Sequence, residues 1–107
     1  MQSDGQRAST AHFTLLVALS AAGEGPSRLG VVVTKKIGNA VARNRVKRVC
    51  RECFRLWPDF VPDGIDLVVI AKEGAPELGL AQVRDEWTRA RPVVLKRCQA
   101  VQGVKKA

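Results

Sequence analysis

The sequence lacks the features that would assign it to several large protein classes. It has no apolar run of about eighteen residues, so no segment has the length of a membrane-spanning helix. Its three cysteines are an odd number, which argues against a disulfide framework and fits a reducing compartment. We therefore expect a cytoplasmic protein that has no membrane partner.

Catalytic residues in familiar combinations are also missing. His12 is the single histidine, and no Ser/His/Asp or Cys/His set accompanies it. Four carboxylates near predicted turns are too scattered to form a two-metal nuclease site: Asp59, Asp63, Asp66 and Glu73. We expect the protein alone to hold no metal or cofactor and to be catalytically inert.

What the sequence has in excess is positive charge, most of it in one segment. The chain of 107 residues fits a single domain, and it carries a formal net charge of +8 with a pI of about 10.1. Residues 35–55 contain eight lysines or arginines and one acid, Glu52. Because the rest of the chain is almost neutral, the sequence predicts a surface for an acidic partner, most often a nucleic acid.

The apolar spacing predicts an alternation of strands and helices. Segments of alternating or β-branched residues indicate three strands: 12–19, 28–35 and 65–72. A helical period extends from about residue 40 to residue 57. Pro76 is expected to open a last helix, which Pro92 is expected to end or kink.

Both ends of the chain are expected to be flexible. Residues 1–9 are polar, and residues 98–107 end in a short stretch with a glycine and two lysines. We therefore predict that the whole chain, 1–107, forms a single domain with loose ends.

The segment from about 40 to 57 combines an apolar stripe with a basic face. The stripe repeats at steps of three and one and is centred on Cys53. Basic residues recur at every fourth position: Arg43, Lys47, Arg51 and Arg55. Like charges at this spacing repel by about 0.2–0.5 kcal/mol per pair. A polyphosphate partner would reverse that sign, because each neutralised phosphate also releases counterions.

Some residues in and near this helix allow more than one interpretation. Asn44, between two arginines, can contact a base edge or a ribose hydroxyl, or it can be the N-cap of the helix. Cys50 and Cys53 have the spacing of a metal or redox pair, but both fall on the apolar stripe, where cysteine behaves as a small hydrophobe. We expect the two cysteines to be buried and metal-free.

The segment GVVVTKKIGNAVARNRVKRVCRE, residues 30–52, resembles the signature of the protein subunit of bacterial ribonuclease P. The resemblance consists of a strand ending in Thr, two lysines, a glycine, and a basic run that contains one asparagine and one glutamate. The matching residues are Thr34, Lys35, Lys36, Gly38, Arg43, Asn44, Arg45, Lys47, Arg48, Arg51 and Glu52. With the later DLVVIAK strand, the resemblance covers most of the chain.

The resemblance implies both a fold and a function. The fold would be an α/β (α+β) two-layer sandwich similar to the second domain of ribosomal protein S5, with a central sheet and a left-handed βαβ crossover through the basic helix. The protein would be the accessory subunit of a ribonucleoprotein endoribonuclease, whose RNA subunit, with Mg²⁺, removes the 5′ leader of precursor tRNA. Its partners would be the ribonuclease P RNA and precursor tRNA, with no obligate protein partner.

The same resemblance implies two groups of RNA-binding residues. The contacts to the RNA subunit would be Arg43, Asn44, Arg45, Lys47, Arg48 and Arg51. The contacts to the leader would be Phe13, Thr34, Lys35, Lys36 and Lys72. Phe13 has equally the place of a core residue in its strand. The family's first helix, which would line the leader cleft, has no counterpart in the short polar segment before the first predicted strand. Either Met1 is not the true start of the protein, or the helix is missing and the leader cleft is partly open.

Two other classes of function remain open from the sequence. A ribosomal or general RNA-binding protein with an S5-like domain would carry the same basic helix without a role in processing. A basic DNA-binding module is the third possibility. The RNA that copurifies with the protein would distinguish them, since we expect a discrete catalytic RNA, ribosomal RNA or no RNA, respectively.

Overall fold

The computed structural model describes residues 6–20 and 25–106, which form four strands and two helices. The strands are β1 (Gln6–Ser9), β2 (Phe13–Leu19), β3 (Arg28–Val32) and β4 (Ile65–Ala71). The helices are α1 (Ala40–Arg55) and α2 (Leu80–Lys106), and short 3₁₀ turns at Lys35–Ile37 and Ala75–Glu77 precede them. A mixed sheet with two helices agrees with the predicted α+β two-layer fold.

The four strands form one sheet in the order β1–β2–β4–β3. β2 is antiparallel to both of its neighbours, whereas β3 is parallel to β4. Parallel neighbours need a crossover connection, and α1 lies within it, since it follows β3 and precedes β4 in the chain. The basic helix therefore lies on the side of the sheet where β3 is the edge strand, and α1 contacts β3 there.

One face of the sheet forms the core with the two helices. Every second side chain of β4, and of β2 up to Val17, is buried, as expected for strands with one packed face. The buried strand residues include Phe13, Leu15, Val17, Ile65, Leu67 and Val69. The helices contribute, among others, Val46, Cys50 and Cys53 from α1 and Val83 and Trp87 from α2. The apolar stripe of α1 predicted from the sequence is thus its buried side.

Asn39, and not Asn44, caps the N-terminus of α1. Asn39 is extended, and its Oδ1 accepts a hydrogen bond from the backbone N–H of Ala42 at 2.9 Å. Asn44 lies inside the helix with an exposed side chain. The interpretation of Asn44 as the N-cap is therefore wrong, and its amide is available to a partner.

α2 continues through Pro92, where the sequence predicts an end or a kink. A proline inside a helix costs about 3 kcal/mol relative to alanine. The segment beyond it buries Val94, Cys98 and Val101 in the core, and this packing offsets the cost. The predicted end at Pro92 is therefore wrong, and α2 extends through the residues expected to form a loose tail. Neither described helix is long and apolar enough to cross a membrane.

The N-terminal segment also differs from the prediction. Gln6–Ser9 pair with β2 as an antiparallel strand, although a loose segment is predicted there. Ala8 is the one buried side chain of this strand, so the pairing depends on backbone hydrogen bonds and leaves little apolar signal. The predictions for residues 1–5, and for a family helix ahead of β1, fall outside the described residues.

Candidate nucleic-acid interface

α1 turns its basic residues away from the core. Since its apolar stripe faces the sheet, the remaining positions lie on the solvent side. Of the residues expected to contact the RNA subunit, the exposed ones are Asn44, Arg45, Arg48 and Arg51, and the half-buried ones are Arg43 and Lys47. These six residues are called the α1 basic surface below.

The charge of the α1 basic surface is not neutralised within the described part of the chain. Glu52, the one acid in α1, pairs instead with Arg55, whose Nη2 and Nε donate to it at 2.5 and 3.1 Å. The hydrogen bond from Arg55 lowers the pKa of the Glu52 carboxyl below its usual value. The other ion pairs of the described residues also leave the surface untouched. An external anion would relieve the repulsion among these positively charged side chains.

Arg45 is oriented by a contact with a distant segment of the chain. Its Nε donates a hydrogen bond to the carbonyl oxygen of Pro76 at 3.0 Å, and Pro76 lies in the Ala75–Glu77 turn. The Nε of Arg43 is also buried, but it has no acceptor among the described residues. Both arginines therefore turn the Nε side of the guanidinium toward the protein.

Lys35 and Lys36 lie beside the N-terminus of α1. Both are exposed in the Lys35–Ile37 turn, which follows the exposed Thr34. Gly38 joins this turn to α1, and a Cβ at this position would come within 2.8 Å of a side-chain atom of α1. The glycine therefore allows the close approach that brings these residues next to the α1 basic surface.

Lys72 follows β4, and its ammonium is engaged within the protein. Its Nζ donates to Ser9 Oγ and to the Thr10 carbonyl, both at 2.6 Å, and so ties the end of β4 to the β1–β2 connection. Because β3 and β4 are parallel, Lys72 lies at the same edge of the sheet as Thr34, which follows β3 closely. The structure thus brings four of the five predicted leader contacts to one edge: Thr34, Lys35, Lys36 and Lys72.

Phe13 is a core residue and not an exposed stacking surface. Its side chain has 0 % exposure, and its ring packs edge-on against Trp87 at a centroid distance of 6.4 Å. Stacking on a base requires an open ring face. The prediction of Phe13 as a leader contact is therefore wrong, and the alternative of a core residue is correct.

All three cysteines are buried free thiols, and the burial of Cys50 and Cys53 agrees with their predicted place on the apolar stripe. Burial raises the pKa of Cys50 to about 12, and it raises the pKa values of Cys53 and Cys98 to about 11. Cysteine reacts as the thiolate, so these three protonated thiols are unreactive near neutral pH. Cys50 and Cys53 act as packing residues of α1.

Sequence patterns missed the arginines that contact Trp57. The guanidinium carbons of Arg84 and Arg91 lie 5.1 and 5.6 Å from the centre of the Trp57 ring. Arg91 also donates to the carbonyl oxygens of Phe60 and Asp59. The spacing of seven residues, two helical turns of α2, is the only sequence signal that could have indicated them. They join α2 to the end of α1 and do not enlarge the α1 basic surface.

Comparison with protein families and curated proteins gives concordant matches. The family model described as ribonuclease P matches residues 1–95. The chain is 48 % identical over 79 residues to the ribonuclease P protein component of Syntrophus aciditrophicus, a match that covers 74 % of this chain and 65 % of the relative. It is 40 % identical over 98 residues to that of Brevibacillus brevis, covering 90 % and 75 %. The chain thus spans less than two thirds of the Syntrophus relative.

Solved structures show the same similarity in three dimensions. The RNase P protein of Staphylococcus aureus superposes with a TM-score of 0.72 at 28 % identity, covering 84 % of this chain and 81 % of the other. The RNase P protein of Thermotoga maritima superposes with a TM-score of 0.71 at 33 % identity, covering 80 % of each chain. The similarity therefore includes the fold as well as the sequence.

Proposed function

Because the chain belongs to the ribonuclease P protein family, we propose that it acts as the protein subunit of ribonuclease P. In this role it binds the catalytic RNA subunit and the 5′ leader of precursor tRNA. It thereby assists the endonucleolytic removal of the leader, which produces the mature 5′ end of the tRNA.

The observation that carries this proposal is the α1 basic surface. Four arginines and a lysine lie on one helix face without a described carboxylate partner, and Asn44 lies exposed among them. Arginine can bridge two phosphate oxygens, and an asparagine amide can both donate and accept. The surface therefore has the chemistry to bind a folded RNA through its backbone and at a few selected groups.

The leader is proposed to lie along the open face of the sheet and its adjoining edge. The side chains of β2 and β4 that alternate with the core residues are half-buried: Thr14, Leu16, Ala18, Asp66, Val68 and Ile70. Four of the six are apolar, and the carboxylate of Asp66 pairs with Arg28. Bases can lie against such a face, while exposed Lys35 and Lys36 at the edge meet phosphates. The Lys72 ammonium already has two acceptors, so its part in leader binding is that of a shared donor.

The protein's own residues do not supply the hydrolytic chemistry in this proposal. The described residues contain no group of three or more His, Cys, Asp or Glu side chains that could hold a divalent ion. In this proposal the Mg²⁺ that the reaction requires is assigned to the RNA subunit. The protein contributes binding, orientation and positive charge.

Reconstitution with a bacterial ribonuclease P RNA tests the proposal. At low Mg²⁺ the protein is expected to stimulate cleavage of precursor tRNA by this RNA, while RNA-free protein cleaves nothing at any Mg²⁺ concentration. The double variant R48A/R51A is expected to lose the stimulation, whereas R84A, on the opposite helix, is the matched control and is expected to retain it.

Two results would contradict the proposal. Cleavage by rigorously RNA-free protein would show that the protein itself is the nuclease. Binding of ribosomal RNA as tightly as ribonuclease P RNA, without stimulated cleavage, would instead favour a general RNA-binding protein with an S5-like domain.

A further inference from the structure

The hydrogen bond between Arg45 and Pro76 joins the α1 basic surface to a part of the chain 31 residues away. The side chain of Arg45 is exposed, so the bond is not needed to satisfy a buried donor. Its effect is instead to restrict a long side chain that would otherwise sample many rotamers, at a cost of up to about 2 kcal/mol when it is ordered. Because this contact orders the side chain before binding, less conformational entropy is lost when a ligand binds.

The acceptor is itself held in place. Gly74 has a positive φ of 89°, which starts the turn, and Ala75 is buried in the core. Backbone bonds from Ala75 to Lys72, from Glu77 to Gly74 and from Leu78 to Ala75 close the turn. None of these bonds uses the Pro76 carbonyl, which is therefore free to accept from Arg45 in a fixed direction.

The geometry of a guanidinium then decides what remains for a ligand. The group is planar, and its five N–H donors point in fixed directions. With Nε directed at Pro76, the two terminal nitrogens, Nη1 and Nη2, form the far edge of the plane. No described residue accepts a hydrogen bond from either of them. This edge has the spacing that bridges two oxygens of one phosphate.

We propose that the Pro76 carbonyl anchors Arg45, so that its guanidinium meets one phosphate of the RNA subunit end-on through Nη1 and Nη2, and that the Ala75–Glu77 turn sets the strength of this contact. In this proposal Arg45 binds the phosphate, and Pro76 contributes indirectly by orienting the guanidinium of Arg45. This inference rests on the proposed function, because it assumes that the α1 basic surface binds the RNA subunit.

A double-mutant cycle tests the anchor by moving the turn without touching α1. In G74A a Cβ would lie 3.1 Å from the His12 ring on a backbone of positive φ, so the substitution strains the turn that carries Pro76. Binding of a bacterial ribonuclease P RNA is titrated at fixed salt for wild type, R45A, G74A and R45A/G74A. We expect R45A to weaken binding at least about tenfold and G74A about threefold. We expect the double variant to bind like R45A, because the turn then has nothing to position.

Two matched controls accompany the cycle. Arg48 is exposed and has no partner among the described residues. The fold-changes in RNA affinity caused by R48A and by G74A are therefore expected to multiply in R48A/G74A. Gly79 lies just beyond the same turn without a positive φ, and a Cβ there would meet only a side-chain oxygen at 3.7 Å, so G79A is expected to bind RNA like wild type. If G74A weakens binding by the same factor with and without Arg45, or has no effect on it, the anchor is overturned.

An NMR measurement gives an answer even if G74A does not fold. In the RNA-free protein, exchange of the Arg45 Nε proton with water is expected to be about tenfold slower than exchange of the Arg48 Nε proton, because only the former has an acceptor. Equal exchange of the two protons would overturn the anchor. If R45A and R48A both bind the RNA like wild type, the proposed interface on α1 fails as well, and this outcome is distinct from an additive cycle.

Discussion

The carboxylate of Glu86 on α2 holds the turn between β1 and β2 through His12. Its Oε1 accepts the backbone N–H of His12 at 2.6 Å, and its Oε2 lies 3.0 Å from the ring Nδ1. The hydroxyl of Thr10 donates to the same Oε1 at 2.5 Å. One half-buried side chain thus fixes the β1–β2 connection and the edge of the sheet to which Lys72 is tied.

Replacing Glu86 should make the fold less stable in a way that depends on pH. Burial acts to raise the pKa of Glu86, but the hydrogen bonds from Thr10 and His12 outweigh it, and the pKa lies below the usual value. A carboxyl with a lowered pKa stabilises the fold fully above its ordinary pKa, and this contribution is lost as the pH falls through the lowered value. We expect E86Q to reduce the free energy of unfolding by about 1–2 kcal/mol at pH 7.

The free energy of unfolding in urea, measured from pH 7 down to the pH at which acid unfolds the protein, checks this expectation. The difference between wild type and E86Q should narrow as Glu86 becomes protonated. D85N is the control, because Asp85 is exposed and makes only an i,i+4 pair with Arg89, and it should change stability by less than about 0.5 kcal/mol. If the difference in unfolding free energy between wild type and E86Q stays constant down to the pH of acid unfolding, the role assigned to Glu86 is contradicted.

The cysteines of α1 should matter for packing alone. We expect C50A/C53A to lower the free energy of unfolding by about 1–3 kcal/mol, because the shorter side chains leave space in the core. A thiol reagent at pH 8 should label the native protein slowly and the unfolded protein at once. Stoichiometric zinc in the native protein that disappears in the double variant would contradict this interpretation.

Binding of the RNA subunit should weaken steeply as salt increases. If the α1 basic surface meets several phosphates, the slope of log affinity against log salt is expected to be several units. K47A should reduce this slope by about one, as expected for the loss of one phosphate contact. K96A, which removes an exposed lysine of α2, is the control and should leave the slope unchanged. A slope that K47A does not alter would remove Lys47 from the interface.

Exchanging arginine for lysine should separate a specific contact from simple charge. We expect R45K to weaken RNA binding by about 1–3 kcal/mol, since an ammonium cannot bridge two phosphate oxygens from an anchored plane. R55K should have little effect, because Arg55 pairs with Glu52 and lies outside the α1 basic surface. Thermal melts of both variants should match wild type. Equal losses at the two positions would mean that the segment acts only through its net charge.

The sequence predicted those parts of the fold in which local pattern and tertiary packing agree. The stripe centred on Cys53 is the buried side of α1, and the predicted strand at 65–72 corresponds to Ile65–Ala71. In both segments the period of the apolar residues follows the side that packs on the core. The spacing of the apolar residues was therefore sufficient to predict that the basic face of α1 is exposed to solvent.

The sequence could not indicate features that depend on contacts between distant residues. Gln6–Ser9 join the sheet through backbone bonds, and Pro92 is carried inside α2 by the packing on either side of it. The anchor of Arg45 is a main-chain carbonyl, which any residue could offer, so no side-chain pattern marks it. The burial of Phe13 was one of two open alternatives, because alternation alone does not tell which face of a strand is covered.

The position of β4 also bears on how the chain acquires its shape during synthesis. β4 is the last strand in the chain, yet it lies between β2 and β3, and among the described strands it is the only neighbour of β3. β3 and the whole of α1 therefore leave the ribosome before the strand that joins them to the rest of the sheet. At about 5–20 residues per second, this interval lasts seconds, during which the basic helix lacks the strand that joins it to the rest of the sheet. The hydrogen bond from Arg45 can form only after β4 has been synthesised, because the turn that supplies the carbonyl of Pro76 follows this strand.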